Sequence, residues 1–173
     1  MMPLKLNRLA LVAILAGAMS ASSPVFAISK LYDAVAGVTL KKGAPCFYAQ
    51  VKLSNPPPDY MKGMGMSFSL FTPSQQAPGY LWDVWFKDWR KLLPTSPASC
   101  IPYGIISPDQ NSQAAKPIPR DAPLEFMMSG EHGRHYVRFC IRKDAGGRDY
   151  LSTMVRQDGV ASCTDVPLKN ERP

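Results

Sequence analysis

Several short stretches of the chain alternate apolar and polar residues with a period of two. In CFYAQVKLS (46–54), Phe47, Ala49, Val51 and Leu53 share one face, with Cys46, Tyr48, Gln50 and Lys52 on the other. MGMSFSLF (64–71) sets Met64, Met66, Phe68 and Leu70 against Gly65, Ser67 and Ser69. HYVRFCIR (135–142) puts Val137, Phe139 and Ile141 inward and Tyr136, Arg138, Cys140 and Arg142 outward. YLSTMVRQ (150–157) puts Leu151, Thr153 and Val155 inward. This period predicts half-buried antiparallel strands, apolar face in and polar face out. KLYDAVAGVTL (30–40) and PLEFMMS (123–129) are weaker strand candidates, and the Gly146-Gly147 pair marks a hairpin loop over 144–149. LWDVWFKDWRKLL (81–93) reads two ways. As a strand it turns Trp82, Val84 and Phe86 inward; as a helix its stripe is Trp82, Trp85, Phe86 and Trp89. Aromatic and β-branched content favours strand to about Phe86, with a turn after it.

Composition sharpens this picture. Seventeen of the 173 residues are proline, about twice the usual ~5 %. They cluster at 56–58, 73–78, 94–102 and 108–123. Proline lacks an N–H and fixes φ, so these clusters end helices and central strands alike, leaving strand-length segments between them. The connections NPPPDYMKGMG, TPSQQAPGY and SPDQNSQAAKPIPRDAP are long for a small domain, and loops of that size on a rigid scaffold are a usual place for function.

The N-terminal 27 residues carry Lys5 and Arg8, a short apolar run over 9–19, and Val25-Phe26-Ala27. This is the plan of a cleavable secretory signal, too short and too soon followed by polar residues to span a bilayer. Cleavage after Ala27 leaves residues 28–173 as one β-domain without a membrane span, delivered to the periplasm or secreted. The cut removes two basic and no acidic residues, leaving 18 against 13 and a net charge of +5. With no run of four or more Lys or Arg, a nucleic-acid partner is not expected.

In an exported domain four cysteines make two disulfides. The spacing of Cys46, Cys100, Cys140 and Cys163 contains no C-x-x-C pair of the kind zinc sites use. Alternation favours one pairing. Cys46 and Cys140 lie on the polar faces of their strands, so a bridge between them through the core is disfavoured. Surface staples Cys46–Cys100 and Cys140–Cys163 are expected instead. The predicted architecture is mainly β: a small antiparallel β-sandwich, immunoglobulin-like in outline, with long Pro-rich loops and two disulfides.

Catalytic patterns are sparse. Glu131, His132 and His135 in SGEHGRHY offer a metal-binding or hydrolytic alternative, but Gly130 and Gly133 break the helix that would align the two rings. No G-x-S-x-G elbow or phosphate loop occurs, so no enzyme and no cofactor are expected.

CFYAQVKLS, a following strand with a Trp after it, SCIPYG, and a hairpin ending YVRFCIR together resemble putative type VI secretion immunity proteins of the bacterial periplasm. The likeness covers roughly 46–154. Many members are lipoproteins, and the acceptor cysteine is absent here. The resemblance implies a stoichiometric inhibitor that binds a toxin effector and has no catalytic constellation of its own. Interfaces concentrate their energy in aromatic and Arg residues, which directs attention to Tyr60, Met61, Lys62, Trp89, Arg90 and Arg120 as partner-binding residues. The positive charge suits an acidic toxin. An envelope-associated adaptor is the remaining alternative.

Overall fold

Over their described residues the alternating segments form strands, and the weaker candidates do so as well. The computed structural model describes residues 33–50, 65–74, 79–87, 94–109, 114–130 and 133–170. Among the described residues nine strands occur in chain order: β1 (Asp33–Lys41), β2 (Ala44–Ala49), β3 (Met66–Thr72), β4 (Gly79–Phe86), β5 (Ile101–Pro102), β6 (Leu124–Gly130), β7 (Gly133–Lys143), β8 (Asp149–Gln157) and β9 (Val160–Pro167). A 3-10 turn, Pro97–Ser99, directly precedes β5. The 81–93 segment resolves as strand to Phe86, with a turn at Lys87; residues 88–93 lie outside the described residues. So do Val51, Leu53, Met64 and the signal-like segment.

The sheet order is β4-β3-β6-β7-β1-β2-β5, with β8 pairing to β7 and β9 pairing to β8. Every ladder is antiparallel except β1–β7, where Asp33–Val35 run parallel to Arg134–Tyr136, so the all-antiparallel expectation needs that correction. The sheet curls into a half-barrel and fits a sandwich only loosely. Phe47 of β2 stacks on Phe126 of β6 with ring centroids 3.6 Å apart, although β7 and β1 lie between those strands. The inner faces therefore meet across the curl. Phe47, Phe68, Trp82, Phe126 and Phe139 form its aromatic centre, each no more than 1 % exposed. Met66, Phe68 and Leu70, and Val137, Phe139 and Ile141, are buried there as alternation predicts.

Tyr103, directly after β5, links the two ends of the curled sheet. Its N–H donates to Pro45 O of β2. Its hydroxyl donates to Lys116 O at 2.6 Å and lies 3.1 Å from Leu81 O of β4. Burial pushes the Tyr103 hydroxyl pKa above its ordinary value, which keeps the group a donor. Lys116 N–H also donates to Leu81 O, so the segment after β5 covers part of the β4 edge.

Both disulfides form with the expected pairing, Cys46–Cys100 and Cys140–Cys163. They are not surface staples. Cys46 is 1 % exposed and Cys140 is fully buried, because the outer face of β1–β2 and of the second half of β7 carries a further layer. Tyr48 lies over Gly37, its cross-strand partner, where any Cβ would fall inside the ring. Asn170 donates through its amide to Val38 O and accepts from Val38 N–H, extending β1 with a side chain. Cys163 brings β9 over Cys140, although β8 separates the two strands in pairing order. The same layer corrects the reading of β8. Ser152 is fully buried and Val155 is half exposed, so the inward set Leu151, Thr153 and Val155 holds at Leu151, which packs on the core. Beyond Ser152 the strand leaves β7 and pairs with β9, through an irregularity between Ser152 and Met154.

Candidate functional site: an arginine and aromatic sheet face

The C-terminal layer leaves another part of the outer face open. In β6 and β7 the inward residues are Leu124, Phe126 and Met128, and Val137, Phe139 and Ile141. Period two then turns Glu125, Met127, Arg134, Tyr136 and Arg138 outward. Cross-strand register arranges these into rows. Tyr80, Phe71, Glu125 and Arg138 form one row across β4, β3, β6 and β7. Asp83, Ser69, Met127, Tyr136 and Val35 form the next, ending on β1.

Tyr136 is 42 % exposed and Tyr80 and Val35 are each 40 % exposed. The Arg138 guanidinium sits 5.7 Å from the Tyr136 ring centroid, a cation–π arrangement. Arg138 Nε donates to Glu125 Oε1 at 3.0 Å, and Arg156 Nη2 of β8 donates to the same oxygen at 3.2 Å. Phe71 and Tyr80 tilt against each other at 5.7 Å. A hollow of about 320 Å³ lies over Phe71, Glu125, Met127, Tyr136 and Arg138. A second, of about 210 Å³, lies on the far side of Tyr136, over Val35, Gln50, Lys169 and Asn170. A rigid sheet thus presents a tyrosine between two hollows, edged by arginines. Aromatic residues, Met and Arg are the types enriched at protein contacts.

The residues singled out in the sequence fall elsewhere. Tyr60, Met61, Lys62, Trp89 and Arg90, with Glu131 and His132, lie outside the described residues. His135 is 1 % exposed and sits on the inner face of β7, opposite Met128. Among the described residues no three His, Cys, Asp or Glu side chains gather as metal ligands. Arg120 is engaged within the molecule. Its guanidinium donates to Asp149 Oδ2 at 2.7 Å and to the carbonyls of Gly43 and Ile118 at 3.3 Å. It thereby ties the β1–β2 turn to the start of β8.

The hydrogen bond from Arg120 holds the Asp149 carboxyl below its usual pKa. A carboxyl depressed on folding stabilises the fold above its unfolded value of about 4, and that gain disappears as the pH falls through the folded value. Arg120→Ala is therefore expected to lower stability by about 1 kcal/mol or less at pH 7, as partly exposed pairs do. The difference from the unmodified protein should be smaller at about pH 2 than at pH 7, because protonating the carboxyl removes the charge that Arg120 pairs with. Urea unfolding of both proteins at the two pH values checks this. An Arg120 effect that is the same at both would assign its role to the two carbonyl contacts.

Comparison with known proteins adds no relative: no family model, curated protein or solved structure matches this chain. Two disulfides fit an oxidising, exported setting. Among the described residues no helix is long and apolar enough to cross a membrane.

Proposed function

We propose that this protein is a periplasmic inhibitor that binds a secreted toxin stoichiometrically, as an immunity protein does, and that it performs no catalysis itself. The observation that carries this reading is the open Arg138–Tyr136–Met127–Phe71 face on a disulfide-bridged sheet. Contacts built on such residues concentrate binding energy in a few aromatic and Arg anchors. A sheet that does not need to order itself on docking loses less affinity to entropy. The likeness of CFYAQVKLS, SCIPYG and YVRFCIR to periplasmic immunity proteins points the same way, as does the signal-like N-terminus. Tyr60, Met61, Lys62, Trp89 and Arg90 belong in this reading as further partner contacts. The charge of +5 after residue 27 suits an acidic toxin, whose association would slow as salt rises.

Calorimetry of the oxidised, exported protein against the product of the adjacent gene tests the proposal. One-to-one binding that abolishes the partner's activity is expected. Absence of binding, or binding that leaves that activity intact, removes the inhibitor reading. An association rate unchanged between low and high salt removes the acidic partner.

A further inference from the structure

Glu125 is over-subscribed. A single oxygen, Oε1, accepts from Arg138 Nε at 3.0 Å and from Arg156 Nη2 at 3.2 Å. Each guanidinium has five N–H donors in a fixed fork, and these contacts use one of each. The arginine side chains are 52 % and 47 % exposed, whereas the Glu125 side chain is 15 % exposed beneath them. Two cations therefore face solvent over one covered anion, with donors to spare. Arg138 and Glu125 also line the adjoining hollow, together with Arg134 and the apolar or aromatic Phe71, Met127 and Tyr136.

We infer that Arg138 and Arg156 together receive a carboxylate from the binding partner, and that the adjoining hollow takes an apolar or aromatic side chain next to it. The partner's contact segment is thus acidic with an apolar residue embedded in it. Glu125 is the internal stand-in for the partner's carboxylate, and it holds the two arginines in place until docking. Charge complementarity argues for this occupant: the pair carries a net positive charge, and arginine forks match carboxylates in two-pronged fashion. Phosphate-rich partners fit less well. A polyphosphate brings no apolar group for the Phe71 and Met127 side of the hollow, which an apolar side chain of a peptide would fill. This assignment rests on the protein-binding reading above, but it has an independent test.

The probe is an acetylated DDFDD peptide, titrated into the ¹⁵N-labelled, oxidised protein and followed by amide shifts. Shifts are expected at Glu125, Met127, Tyr136, Arg138 and Arg156, with weak binding that fades as salt rises. A DDADD peptide should bind several-fold more weakly, and KKFKK should leave these amides unmoved. Arg138→Gln and Arg156→Gln should each weaken DDFDD by about five-fold, the scale of an exposed charge contact. Glu125→Gln should strengthen it by a similar factor, because the internal competitor is gone.

That last sign is one a merely structural Glu125 would not give. Weaker or unchanged binding by folded Glu125→Gln overturns the inference. Should that variant fail to fold, an unchanged affinity in Arg156→Gln overturns it equally. Shifts spread over other faces overturn it, and so does stronger competition by phosphatidylglycerol vesicles or single-stranded DNA than by peptide. The outcomes separate from those of the inhibitor reading. A toxin that binds the unmodified protein and the Arg138 and Arg156 variants equally removes this site and leaves that reading intact. Peptide binding at this face without a neighbouring toxin does the reverse.

Discussion

Replacing Phe47 by alanine is expected to cost about 3–5 kcal/mol, at the upper end of large-to-small core substitutions. Phe47 is fully buried, and it is the residue through which the curl of the sheet closes. Its ring stacks on Phe126 at 3.6 Å, and it also meets Phe139 at 6.1 Å and Trp82 at 6.5 Å. These neighbours stand on β6, β7 and β4, each held in its own ladder. They cannot collapse into the vacated volume, so the cavity term adds to the lost transfer energy. Phe86 is the control, being only partly buried where it packs at the edge of the core. Phe86→Ala should cost clearly less than Phe47→Ala. Urea unfolding of both oxidised variants decides the matter. Equal losses would mean that the inner faces of β2 and β6 do not share one core. For a domain with ~5–15 kcal/mol in total, Phe47→Ala leaves a marginal fold, whereas Phe47→Leu keeps more of the apolar volume and loses less.

Period two revealed most strands, because burial of one face leaves its mark within a few residues. It could not show what covers the other face. Cys46, Tyr48 and Gln50 read as outward, and they are, yet all three are buried. Their cover comes from partners remote in sequence, such as Asn170, which is 132 residues from the Val38 it pairs with. The parallel β1–β7 pairing is equally non-local and leaves no local signature. The last hairpin did leave one. Asp158-Gly159 is a two-residue turn with both φ values positive, 50° and 79°, and Asp-Gly is a strong signal for such turns. It is easily passed over because VASCTDVP, which forms β9, lacks regular alternation.

The candidate face was half legible. Tyr136 and Arg138 stand alone between apolar inward residues and read as outward at once. Phe71 and Met127 do not, because each adjoins inward apolar residues, in Leu70-Phe71 and in Phe126-Met127-Met128. In such a run the period disappears, and register alone shows that these two side chains join Tyr136 on the open face. Arg156 reaches Glu125 because β8 leaves β7 after Ser152. Nothing near Arg156 in the chain encodes that.

Removing the disulfides should produce the other large loss of stability, and in a definite order. Closing a loop restricts the unfolded chain more the longer the loop is. Cys46–Cys100 spans 54 residues and Cys140–Cys163 spans 23, which gives about 4 and about 3 kcal/mol respectively. Paired alanine replacements, unfolded in urea, test the order. The native structure adds a local distinction between the two. Cys46–Cys100 reinforces a ladder of two residue pairs, Cys46 with Pro102 and Phe47 with Ile101. Without it, β5 and the Tyr103 link behind it lose their anchor, and amide exchange should rise at Tyr103 and Lys116. Cys140–Cys163 instead joins strands that share no ladder, so its loss should speed exchange in β9 while β3 and β6 stay protected. If the Cys140–Cys163 variant proves the weaker of the two, loop entropy is not what ranks them. The packing of β9 over Cys140 would then be the larger contribution, and that bridge would be what keeps the C-terminal layer closed and Arg156 within reach of Glu125.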